Sequence, residues 1–62
     1  MNRQIKITLA VNNVRQWELA KILNVSEMTI TRRLRNELPQ EEQDRICKLI
    51  EEYAKNGGRN NG

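Results

Sequence analysis

Asn24, Val25 and Ser26 constrain this chain more than any other three residues, because they interrupt two short stretches of helical apolar spacing. Before them, Leu19, Ala20, Ile22 and Leu23 recur at the intervals of one helical face. After them, Ile30 and Leu34 lie one turn apart. Asn tolerates the left-handed backbone that ends a helix. Ser is favoured at a helix start, and Glu27 suits the positive end that follows. Val25 is an apolar plug between them. The spacing predicts a helix over residues 16–23, a three-residue turn and a helix from Glu27 to about Asn36. A full capping box is missing at Ser26, because position 29 is Thr rather than Glu or Gln.

The flanking segments complete an all-α fold. Residues 3–12 are ambiguous: Ile5, Ile7, Leu9 and Val11 alternate like a strand, while Ile5 and Leu9 with Thr8 and Asn12 share a helical face. Nothing else in the chain reads as a strand, and a lone strand is unstable. Helix is therefore expected, ended by Asn12-Asn13. Leu38-Pro39 breaks the chain, and Pro39, Glu41, Glu42 and Asp44 suit the start of a fourth helix running to about Lys55. Its apolar stripe is Ile46, Leu49, Ile50 and Tyr53, with Cys47 and Ala54 at the edge. The expectation is one compact four-helix domain over residues 1–55, with a Gly/Asn tail at 56–62 that is disordered.

Composition closes most other routes. Sixty-two residues hold one small domain. There is no apolar run of membrane-spanning length and no signal-peptide pattern, so a cytoplasmic protein is expected. His is absent and Cys47 is alone. That is a poor start for zinc, and neither a metal site nor another cofactor is expected. The acidic cluster Glu41, Glu42 and Asp44 is a helix-start charge run. The glycines are Gly57, Gly58 and Gly62, all in the tail, so no phosphate-cradling loop exists. An enzyme is not expected, for want of a base and a cleft.

Charge points elsewhere. Residues 1–37 carry seven basic side chains against three acidic, whereas residues 38–62 carry four against five. The positive field therefore belongs to the first part, as suits an anionic partner. Two short helices joined by so short a turn make a helix-turn-helix unit, whose second helix fits a major groove about 12 Å wide. On that helix Met28, Arg32 and Arg35 point away from Ile30 and Leu34, flanked by Thr29 and Thr31.

The run Gln16-Trp17-Glu18-Leu19-Ala20, then Leu23-Asn24-Val25-Ser26, then Thr29-Ile30-Thr31-Arg32 with Leu34, resembles the phage Cro/C1-repressor (XRE-like) type of helix-turn-helix. The close match covers about 20 residues. The surrounding helices are similar, more loosely, to small single-domain members from phages and mobile elements. The turn has Asn24 where relatives usually carry Gly. Arg15 stands where they often have a Ser or Thr cap, and relatives usually have five helices rather than four. The resemblance implies a lambda-repressor-like fold and a sequence-specific double-stranded DNA-binding regulator, a repressor acting as a dimer on a palindromic operator. It implies a phosphate contact for Gln16 and base contacts among Ser26, Glu27, Met28, Thr29, Thr31 and Arg32.

Side-chain chemistry adds detail. Arg32 suits guanine, Glu27 the cytosine amine and Met28 the thymine methyl. Arg15, Lys21, Arg33 and Arg35 suit phosphates. Trp17 is expected in the core, with the DNA backbone and a protein partner as alternatives. Cys47 reads as a semi-buried hydrophobe and Tyr53 as packed on the core rim. Part of the fourth helix, Cys47, Tyr53 and Ala54, is a candidate patch for a weak dimer completed on DNA. A different class of function competes: a protein-interaction module on the same scaffold, binding a host or phage protein through Met28 and Trp17.

Overall fold

The ambiguous first segment is a helix. The structure is a computed structural model that describes residues 1–57. It contains α1 (Arg3–Val11), α2 (Gln16–Leu23), α3 (Glu27–Arg33) and α4 (Gln40–Lys55), with no strand among the described residues. Helical geometry lets α1 bury Ile5 completely and Leu9 partly, while Ile7 and Val11 turn outward. Of the expected tail, Asn56 and Gly57 form a turn, and positions 58–62 lie outside the described residues. No helix among the described residues is long and apolar enough to cross a membrane.

Two helix ends use one device. After α1, Asn13 adopts the left-handed conformation at φ 56°, and the Val14 N–H returns 2.8 Å to the Leu9 carbonyl. After α2, Asn24 does the same at φ 58°, and the Val25 N–H returns 2.9 Å to the Ala20 carbonyl. These are the long-range bonds of a Schellman ending, in which the following apolar residue packs inward. Val14 is buried, and Val25 is half-buried against the core.

The core is Ile5, Val14, Leu19, Ala20, Ile30, Ile46, Cys47 and Ile50. It draws on every helix and holds no aromatic ring. Helix α4 is the spine: α1 packs along it, α2 packs across it, and α3 packs on α2. The buried arc of α4 is rotated from the expected stripe. Gln43, Ile46, Cys47 and Ile50 are buried, whereas Leu49 is only half-buried. A polar residue belongs to this arc because its amide nitrogen uses both hydrogens, donating to Glu37 Oε2 and to the Leu38 carbonyl, both at 2.9 Å.

That amide belongs to a clasp built around Asn2. Its backbone is left-handed at φ 51°, and the residue is completely buried. Its Nδ2 donates to the carbonyls of Leu34 (3.0 Å) and Asn36 (2.9 Å). Its Oδ1 accepts from the Leu38 N–H at 2.8 Å, and its own N–H donates to Glu37 Oε1 at 2.8 Å. One residue thus fastens the start of α1 to the whole connection between α3 and α4. The clasp coincides with the end of α3 at Arg33, short of the expected Asn36. Arg35, expected on the helix, therefore lies in the turn beyond it.

Asn2→Ala removes the clasp and leaves buried carbonyls and an N–H unmatched. It should lower unfolding free energy by about 2–3 kcal/mol in urea melts, whereas a loss under about 0.5 kcal/mol would mean water replaces these bonds freely. The N–H of Asn2, and then the amide of Gln43, hold the Glu37 carboxyl below its ordinary value. The side chains of Gln4 and Gln40 do the same for Asp44. A depressed carboxylate stabilises the fold above its unfolded pKa and ceases to do so as pH falls through the folded one. Stability should hold at neutral pH and fall on acidification below the ordinary carboxylate range, about pH 4. Glu37→Gln should start lower at pH 7 and lose less on descent to pH 3; identical acid limbs would show Glu37 to be unlinked to folding.

Candidate nucleic-acid interface

Helix α3 has only seven residues, too few to be stable alone. It is held from three sides. Ile30 is buried, and Leu34 packs partly on the core. At its start, Ser26 Oγ accepts from the Thr29 N–H at 3.1 Å and lies 2.9 Å from Thr29 Oγ1. The Ser26 hydroxyl thus caps the helix and is itself paired with the hydroxyl of Thr29. At its end, the Asn2 clasp holds the Leu34 carbonyl. The outward face of this anchored helix carries Glu27, Met28, Thr31 and Arg32, all exposed, with Met28 at 70%. Ser26 is exposed and Thr29 half-buried beside them.

Helix α2 presents its start to the same face. Gln16 Nε2 donates to Thr31 Oγ1 at 2.9 Å, joining the first residue of α2 to the middle of α3. Accepting leaves the Thr31 hydroxyl its own hydrogen to donate. Arg15 has no acceptor with which to cap α2, and Glu18 makes good half of that loss. Its Oε1 accepts the Arg15 N–H at 2.8 Å, which is the return arm of a capping box. Glu18 is buried, and Tyr53 Oη donates to its Oε2 at 3.3 Å, linking α4 to α2. Glu at the third position of the helix was a visible signal for the cap. Its partner 35 residues away was not.

Two expectations fail here. Trp17 is 51% exposed rather than in the core. Two residues before Leu19, it lies roughly 200° round α2 from that fully buried side chain. Cys47 is buried, its Sγ 3.2 Å from Thr8 Oγ1, so it cannot belong to a surface patch for a dimer. Tyr53 and Ala54 are half-buried against the core, and Tyr53 also serves Glu18. The expected patch therefore breaks up: α4 turns these side chains inward because its buried arc is centred nearer Gln43, Cys47 and Ile50.

The electrostatics are lopsided. Among the described residues the one ion pair is Arg45–Glu42, at 2.8 Å on α4. Arg15, Lys21, Arg32, Arg33 and Arg35 are exposed and take part in no ion pair among those residues. Lys21 instead sits 6.0 Å from the Trp17 ring centroid. Arg32 and Arg33 lie in the last turn of α3, where they also favour its negative end. Of the acids near α2 and α3, Glu18 is buried and Glu37 is held by Asn2 and Gln43, while Glu27 is exposed at the start of α3. Among the described residues, no three His, Cys, Asp or Glu side chains gather as a metal site needs.

No family model, curated protein or solved structure matches the chain.

Ser26→Ala should destabilise the domain by about 1 kcal/mol through the loss of the α3 cap. Denaturant midpoints measure this, and an unchanged midpoint would show that packing alone holds α3 in place.

Proposed function

We propose that this chain is a sequence-specific double-stranded DNA-binding regulator, a lambda-repressor-like helix-turn-helix protein that represses by occupying its operator. The observation that carries this reading is the exposed face of α3, tethered through Gln16–Thr31 to α2 and surrounded by cations free of ion pairs among the described residues. A face about one helix wide with mixed donors, acceptors and one apolar side chain suits a major groove.

In this reading α3 enters the groove. Arg32 makes the bidentate contact to guanine O6 and N7, Glu27 accepts from cytosine N4, and Met28 packs on a thymine methyl. Thr31 donates its hydroxyl. Ser26 and Thr29, both engaged in the cap, set the approach of the helix to the bases more than they read them. Arg15, Gln16, Lys21, Arg33 and Arg35 hold phosphates, which fixes register rather than sequence. Two copies on an inverted repeat, their half-sites about 34–36 Å apart, supply the contacts that one short helix lacks. The bound dimer represses by excluding polymerase or another protein. The reading places the chain in the cytoplasm, where that DNA would be.

The exposure of Met28 and Trp17 favours a second reading, a module that grips a host or phage protein through these two side chains. Salt separates the readings. Four to six phosphate contacts per copy give log K a slope of roughly −4 to −5 against log salt, at about −0.9 per contact, whereas an apolar protein interface is nearly flat.

The test is selection of bound duplexes from a random pool at about 0.15 M salt. Enrichment of an inverted repeat is the expected result, and binding without any enrichment counts against sequence reading. On the enriched site, Arg32→Ala should cost about 1–3 kcal/mol and relax preference at one base pair. Arg35→Ala should weaken all duplexes alike and reduce the salt slope by about 1. If neither change alters binding, α3 is not the DNA-facing element.

A further inference from the structure

Helix α2 turns outward an apolar plane that the fold does not use. Trp17 is half-exposed, although a buried indole would bring far more apolar area than any side chain in this ring-free core. The Lys21 ammonium stands 6.0 Å from the ring centroid, one turn further along the same side. Trp17 and Lys21 lie about 100° and about 140° round the helix from Gln16. Gln16 itself touches Thr31 on the outer face of α3. The plane thus borders the proposed groove-facing surface without belonging to it.

Charge selects the occupant. Lys21 lies against the indole, Arg15 precedes it by two residues, and neither is ion-paired among the described residues. The nearest acid in sequence, Glu18, is buried and turned inward to the Arg15 N–H and to Tyr53. An apolar protein pocket closing over Trp17 would have to strip water from the Lys21 ammonium without neutralising it. A sugar–phosphate strand offers both parts at once: an apolar deoxyribose face for the ring and an anionic oxygen for the ammonium beside it.

We infer that Trp17 and Lys21 form a second DNA contact beside α3, on the duplex backbone flanking the bases that α3 reads. The indole packs on a deoxyribose, and the Lys21 ammonium binds the adjacent phosphate. The cation over the ring holds both groups in register before DNA arrives. The contact adds affinity at every sequence and supplies no base preference. This inference rests on the DNA-binding reading above.

The chain has one tryptophan, so its emission reports this site alone. The experiment titrates the intact chain with the duplex enriched in the selection, following indole emission and its quenching by acrylamide. Labelled-duplex binding is measured in parallel for Trp17→Ala, Trp17→Phe and Lys21→Ala, each checked by thermal melting. Duplex should change the emission and shield the ring from acrylamide. Trp17→Ala should bind about tenfold more weakly to enriched and random duplexes alike with the salt slope unchanged, and Trp17→Phe should recover much of the loss. Lys21→Ala should reduce the slope by about 0.9. If the wild-type chain binds duplex while its indole stays accessible and Trp17→Ala binds equally well, this inference is overturned and the α3 reading stands. If the wild-type chain binds no duplex, both fall. If a single-stranded oligonucleotide quenches the indole and binds more tightly than duplex, the ring stacks on bases and the backbone contact is overturned.

Discussion

Asn2 is where the fold is closed. A small chain with eight buried apolar residues among those described has little hydrophobic stabilisation to spare, and most of it lies between α1, α2 and α4. Helix α3 contributes one fully buried side chain, Ile30, and could not hold its own position on that alone. The connection from Leu34 to Leu38 also has backbone groups that no helix satisfies. Asn2 answers both needs with one side chain and one N–H, engaging Leu34, Asn36, Glu37 and Leu38. Because the amide is completely buried, these bonds are shielded from competing water, and a half-made set would cost more than none. Gln43 extends the clasp into α4 through Glu37 and the Leu38 carbonyl. The C-terminal end of α3, and with it the placement of Arg33 and Arg35, depends on a residue that precedes the first helix.

What could be read from the sequence divides by range. The α2–turn–α3 segment was legible because its signals are local: the left-handed Asn24, the inward Val25 and the capping Ser26 sit side by side. The ending of α1 repeats the Asn-Val pair within the expected Asn12-Asn13 stop, with Asn13 the left-handed residue. The clasp was not legible, because its partners lie more than 30 residues apart and a polar residue near the start carries no pattern. The same blindness misplaced the buried arc of α4. Apolar spacing alone favours Leu49 over Gln43, and only the hydrogen bonds of Gln43 explain why an amide is buried there. Trp17 went astray for a simpler reason: size was weighed above its angle on α2.

The candidate site was legible in its residues and not in its wiring. Met28 and Arg32 are exposed on one face with Thr31 beside them, as the spacing required, whereas Arg35, expected on that face, lies beyond the end of α3. Nothing in the spacing announced that Gln16 would bridge to Thr31, or that Ser26 and Thr29 would be bound to each other. These contacts alter the roles the site can support. A bridged Thr31 is held in one orientation at little further entropic cost. A capping Ser26 fixes where the helix begins, which matters for a helix only seven residues long.

The unpaired cations connect stability to function. Arg15, Lys21, Arg32, Arg33 and Arg35 are like charges on and next to α2 and α3, with Glu27 exposed beside them, and among the described residues only α4 carries an ion pair. Their mutual repulsion acts on the part of the fold with the thinnest packing, whereas the acids of Glu18 and Glu37 are spent on caps and clasp. A chain organised only for its own stability gains from interleaving these charges. Leaving them unneutralised makes sense when an anion completes the arrangement. Any ligand that binds only the folded state stabilises it by mass action. A polyanion on this surface would both relieve the repulsion and add contacts to α3, so the binding reading and the marginal anchoring of α3 are two sides of one electrostatic arrangement.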